Sequence, residues 1–125
     1  MIPESRKSAR ELLEFYLEAG IDVAIEPDLS NAAPFLVAAL VAGGSVTISG
    51  WPAATTQVGA DLEQLLPLFG ATVARDGTSL TVTGGQSIRG VDLDLSTGGE
   101  LAPALVALAA LADSPSRITG IGHLR

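Results

Sequence analysis

Cysteine is absent from the 125-residue chain, which excludes disulfides, thiolate nucleophiles and thiolate-bound metal. Aromatics are scarce, with one Trp, one Tyr and three Phe, so Ala, Leu and Val must do the packing. Positive charge is scarcer still. Seven Lys and Arg stand against fourteen Asp and Glu, a net charge of −7, and none of the seven lies between Arg10 and Arg75. This balance argues against nucleic acid as a partner. It also means that any anionic substrate must find most of its compensating charge outside this sequence. Long apolar runs are missing as well. The nearly uncharged stretches 32–42 and 101–112 fall short of the roughly 20 residues of a membrane span, so they read as core helices and no membrane partner is expected. With no signal-like segment at the N-terminus, the expected compartment is the cytoplasm.

What the chain does have is a repeat. Asp28-Leu29-Ser30 returns as Asp94-Leu95-Ser96, about 66 residues later. After each copy comes a small-residue turn and then an apolar run, 35–42 and 101–112. Each run ends in a break, Gly43-Gly44 or residues 113–116, followed by a short alternating strand at 45–49 or 117–121. Passes of the same β-α-β kind at one spacing indicate a repeat architecture.

The remaining elements fill in between. Residues 5–19 carry Ala9, Leu12, Leu13 and Tyr16 at helical spacing, and Gly20 ends that amphipathic helix. Residues 21–25 alternate as a strand. Residues 58–69 form a second amphipathic helix with Leu62, Leu65, Leu66 and Phe69 on one face, and Pro67 should kink or shorten its last turn. Strands at 72–74 and 79–83 pair as a hairpin around Asp76-Gly77. A linker at 84–90 leads to a strand at 91–95. The implied division is an N-terminal helix at 1–20, a β-α-β-α-β-β unit at 21–84, and an incomplete second unit at 85–125.

Polarity decides how these units pack. Helices apolar nearly all round are buried, and alternating strands have one wet face. The expected fold class is therefore α/β, an inside-out barrel of repeated units with helices at the centre and sheets outside. Asp28, Ser30 and Ser96 are candidate N-caps. Both helix starts follow an equivalent strand, so both N-termini should emerge on one face, where their partial positive charge favours anions. Glu26 and Asp28 resemble a carboxylate pair but fit a structural role better.

Several blocks together carry a family resemblance. They are Glu26-Pro27-Asp28-Leu29-Ser30-Asn31-Ala32-Ala33-Pro34-Phe35, Ala38-Ala39-Leu40, Gly43-Gly44, Trp51-Pro52 and Thr55-Thr56-Gln57. In register with them follow Gly99-Glu100-Leu101-Ala102-Pro103, residues 109–117, Gly120-Ile121 and His123-Leu124-Arg125. Over residues 22–125 the sequence resembles 5-enolpyruvylshikimate-3-phosphate synthase, in its bacterial forms. That family has two domains, each of three such units, and the resemblance implies a segment of the C-terminal one.

The resemblance implies transfer of the enolpyruvyl group of phosphoenolpyruvate to the 5-hydroxyl of shikimate 3-phosphate, with release of phosphate. No metal or other cofactor is implied. The substrates are expected in the cleft between domains. Glu100 falls where the family places an Asp or Glu proposed as general base, in contact with the 5-hydroxyl. The plainer reading of Glu100 is a first-turn carboxylate that complements the helix dipole. His123, the sole histidine, falls where many members have a ligand-binding asparagine, which makes it the second candidate substrate contact; its plainer reading is a surface residue. The family's Lys-Ser phosphate loop, its Ser-Ser-Gln motif and its Glu-Thr-Asp-Arg run have no counterpart here, so the segment alone is expected to be inactive. With a unit missing, an apolar flank should stay open and favour self-association. Two alternatives belong to other classes: a non-catalytic truncated paralogue or scaffold, and the sister transferase acting on a nucleotide-activated amino sugar. The block 26–30 speaks against that sister.

Overall fold

The computed structural model of the chain describes residues 27–124. The helix read at 5–19, the strand at 21–25, Glu26 and Arg125 lie outside them. A 3-10 turn, Ser30–Ala32, leads into helix α1, Ala33–Ala42. Pro34 sits in the first turn of α1, where a missing N–H costs nothing. Strand β1, Ser45–Ile48, follows. The next helical stretch is composite: a 3-10 turn Val58–Asp61, helix α2 Leu62–Leu65, and a second 3-10 turn Leu66–Phe69. Pro67 explains the last change of pitch, because it has no N–H to continue the α ladder. Its apolar side is as expected, with Leu62, Leu66 and Phe69 fully buried.

Strands β2, Thr72–Asp76, and β3, Ser79–Thr83, form the hairpin, turning at Gly77-Thr78. β3 is central in an antiparallel sheet of order β1-β3-β2. Its register sets Val46 against Val82 and Ile48 against Leu80 on the inward face. On the outward face, hydroxyl pairs replace charges: Ser45 with Thr83 at 2.7 Å and Thr47 with Thr81 at 2.8 Å. This is the wet face that the alternation requires. The second sheet is parallel, pairing β4, Asp92–Asp94, with β5, Arg117–Thr119. Between them runs a 3-10 turn, Gly99–Leu101, and helix α3, Ala102–Ala110.

One hydrophobic core joins both sheets and all the helical elements. Leu36 and Leu40 of α1, Leu105 and Leu108 of α3, and Leu80 and Val82 of β3 are at its centre. Each such side chain contributes roughly 1.5–3 kcal/mol on burial. The expected burial of the helices holds on one side of each. On the other side of α1, Phe35 is 67% and Val41 53% exposed; on that of α3, Val106 is 43% exposed, with Leu111 just beyond at 58%. A helix is enclosed all round only when several layers surround it. The described residues supply α1 and α3 with each other, the sheets and the composite helix, and these leave the outer side of each open. None of these helices is long and apolar enough to cross a membrane.

Trp51 is fully buried and ties the sheet to the composite helix. Its indole N–H donates to Glu63 Oε1 at 2.6 Å, and its backbone N–H donates to Thr78 O at 2.7 Å. Arg75 closes the cluster by donating to the same Glu63 oxygen and, at 3.2 Å, to Pro52 O. Glu63→Ala would orphan a buried indole N–H, a loss of about 1–3 kcal/mol. Urea unfolding of this variant should show that loss. Arg75→Gln should cost less, since the Trp51–Glu63 bond survives.

Candidate functional site

The repeated Asp-Leu-Ser segments form the same local turn. Asp28 Oδ1 accepts the backbone N–H of Ser30 at 3.0 Å and of Asn31 at 3.4 Å, and Oδ2 accepts Asn31 Nδ2 at 3.1 Å. Asp94 Oδ1 accepts the backbone N–H of Ser96 at 2.9 Å. Hydrogen bonds from the Ser96 backbone, and then from its side chain, hold the Asp94 carboxyl below its ordinary value. Asp28 thus takes up the N–H groups that a helix start leaves orphaned, as expected of a cap.

After that the copies diverge. The first 3-10 turn begins at Ser30 itself; the second begins only at Gly99, after Thr97-Gly98. Ser96 therefore does not cap its helix, which corrects the expectation for that residue. Ser30 is not a cap either. Its hydroxyl donates to Glu100 Oε2 at 2.9 Å, linking residues 70 apart in sequence.

That bond is possible because the helix starts converge. The turn Val58–Asp61 touches both Ser30–Ala32 and Gly99–Leu101. The tightest point is Gly59. A Cβ placed there would lie 2.5 Å from Leu29 Cβ and 2.7 Å from the Ser30 backbone nitrogen, so only glycine permits the approach. Gln57 reinforces it as a clasp. Its Oε1 accepts the Leu29 N–H at 3.0 Å and its Nε2 donates to Pro27 O at 2.9 Å.

His123 reaches the same place by another route. Beyond β5 the chain turns at Gly120, whose φ of +79° is rarely open to other residues. A Cβ there would also strike Ser96 N at 2.5 Å and Asp94 Oδ1 at 2.6 Å. The turn brings residues 121–124 back over the helix start, where His123 Nε2 would lie 3.7 Å from a Cβ placed at Gly99. Glu100, next to Gly99 in sequence, and His123, close to Gly99 in space, were both singled out from sequence, and both are exposed.

The charged residues are less obliging. Arg75 is paired with Glu63, and Arg89 donates to Pro67 O at 3.3 Å. Arg117 opens β5 beside Asp92, whereas the site lies past the other end of that sheet, beyond Asp94 and Thr119. Sequence reading missed the roles of Ser30 and Gln57. A Gln directly ahead of a helix start was the available signal for the second; the first had none, since its partner is a long-range one.

The sequence model of EPSP synthase (3-phosphoshikimate 1-carboxyvinyltransferase) matches residues 16–125. A 3-phosphoshikimate 1-carboxyvinyltransferase of Kocuria rhizophila is 58% identical over 107 residues, covering 86% of this chain and 24% of that protein. One of Tropheryma whipplei is 52% identical over 106 residues, covering 85% and 24%. The chain thus spans about a quarter of the length of the curated relatives it matches. Among solved structures, the enolpyruvyl transferase NikO from Streptomyces tendae aligns with a TM-score of 0.59 at 24% identity, covering 78% of this chain and 24% of that one. At that identity the likeness speaks for the α/β fold.

The Gly120 turn is the feature of the site most open to direct test. Gly120→Ala combines a left-handed backbone with an overlap against the Asp94–Ser96 turn, and should destabilise by about 2–4 kcal/mol. A thermal melt with unchanged midpoint would remove Gly120 from the account of how His123 is placed.

Proposed function

Because the chain belongs to the EPSP synthase family, we propose that it supplies one wall of an active site that transfers enolpyruvyl from phosphoenolpyruvate to the 5-hydroxyl of shikimate 3-phosphate. The observation that carries this reading is the position of Glu100. Its carboxylate stands exposed at the meeting point of the helix starts, with one oxygen bonded to Ser30. There it serves as general base. It takes the proton of the 5-hydroxyl as that oxygen adds to C2 of phosphoenolpyruvate, while C3 is protonated. Loss of a proton from C3 and of phosphate from C2 then completes the transfer. His123 is the proposed neighbouring contact to the sugar phosphate. The two units, 21–84 and 85–125, are read as parts of one domain of a larger cytoplasmic enzyme.

Charge accounts for what this wall lacks. The transition state gathers phosphate and carboxylate charge, and its electrostatic stabilisation is usually the largest catalytic term. The starts of α1 and α3 offer partial positive charge, but Arg75, Arg89 and Arg117 are all engaged or placed elsewhere. The rest of the clamp must come from other parts of the complete protein. Without it, the apolar sides of α1 and α3 also remain open.

Two experiments follow. In the complete protein carrying this segment, Glu100→Gln should lower turnover by about a hundredfold or more, the usual worth of general-base catalysis. Binding of shikimate 3-phosphate should change little. A loss confined to stability, at roughly 0.3–1 kcal/mol with turnover nearly intact, would return Glu100 to a helix-dipole role. The 125-residue chain by itself should release no phosphate from the two substrates and should scatter with a mass above the 12.7 kDa monomer. Measurable turnover, or a strictly monomeric mass, would contradict the corresponding half of that statement.

A further inference from the structure

We propose that Ser30 is a positioning residue for Glu100, fixing which oxygen of the carboxylate is presented to substrate. The proposal rests on the reading of Glu100 as the base. A glutamate has three side-chain torsions, and an exposed one wanders among rotamers. A base is effective only when held within hydrogen-bond reach of its proton, in a fixed orientation. Ser30 Oγ donates to Oε2 at 2.9 Å. Oε2 keeps one lone pair beyond that bond and Oε1 keeps both, so Oε1 is the more open oxygen to receive a proton.

A positioning group must itself be fixed, and Ser30 is. Its backbone N–H is held by Asp28 Oδ1 at 3.0 Å. The residues before it are gripped at Pro27 O and Leu29 N by Gln57. Gly59 presses against Leu29 and Ser30 from the third side. The hydroxyl therefore projects from a segment restrained on three sides, while Glu100 is the middle residue of the turn Gly99–Leu101 that feeds α3. Ser30 thus sets the angle of a carboxylate borne on the other repeat.

The test uses the complete protein carrying this segment, with Ser30→Ala, Ser30→Thr, Glu100→Gln and the Ser30→Ala/Glu100→Gln double variant. Ser30→Ala should lower kcat by about tenfold or more, with KM for shikimate 3-phosphate within about twofold, since misorientation of a catalytic group acts on the chemical step. Ser30→Thr keeps a hydroxyl and should recover most of the loss. The double variant should be no slower than Glu100→Gln, because there is no base left to orient. If Ser30→Ala does not fold, Ser30→Cys removes the strong donor at similar size and carries the same expectation. Normal kcat in the Ser30 variants beside a crippled Glu100→Gln would overturn the positioning role and leave the base standing. Additive losses in the double variant would overturn it too. Near-normal kcat in Glu100→Gln would bring down the base and the proposal together.

Discussion

The contact of Gly59 with the backbone of Leu29 and Ser30 is the constraint on which the site depends. Everything arranged around it needs the first and the composite helices to start almost in backbone contact. At ordinary side-chain separation, the Gln57 clasp could not reach Pro27 and Leu29, and the Ser30 hydroxyl would no longer meet Glu100. A single absent Cβ thus controls the geometry of hydrogen bonds made by other residues.

The molecule separates its sources of stability from its sources of geometry. The core is almost wholly aliphatic, with Trp51 and Phe69 as its large aromatic members, and no polar residue is buried among the described ones. The site, by contrast, is built from exposed hydrogen bonds at helix starts. Such bonds add little individually to folding, about 0.5–1.5 kcal/mol each. Their value lies in direction, because each has a fixed donor on a restrained backbone. A surface assembled this way can be precise without being costly to solvate, as the proposed active-site wall would require.

Much of the fold could be read in advance. The alternation at 45–48 and 79–83 announced strands, Asp76-Gly77 announced their hairpin, and Pro67 announced the loss of α pitch at 66–69. Where reading fell short, the cause was a relation between distant residues or a difference in loop length. The extra residues after Ser96 set the second helix start back to Gly99, so the repeat of Asp-Leu-Ser did not carry over into an equivalent helix start. Arg117 was close to the site segment in sequence but sits at the opposite end of its strand, since a strand's two ends face different surroundings. Apolarity all round α1 and α3 signalled that something covers them, but not whether these residues could do it. Glu100 and His123 were singled out through the family blocks; that the chain returns His123 to the neighbourhood of Gly99 depends on the Gly120 turn, which no pattern in the sequence describes.

The hydroxyl pairs on the outer face of the three-stranded sheet carry one more implication. Ser45 and Thr47 face Thr83 and Thr81, and the next outward residue along β3 is Ser79. A slip of β1 by two residues would again set hydroxyl against hydroxyl, so that face contains almost no register information. The inward face is hardly more selective, with Val and Leu exchangeable opposite Val46. Discrimination falls to the point just past the strand, where Trp51 enters its pocket, bonds to Glu63 and anchors its own N–H on Thr78. A slipped strand would drag the indole out of that pocket. Trp51 therefore acts as the alignment pin of a strand to which it does not belong.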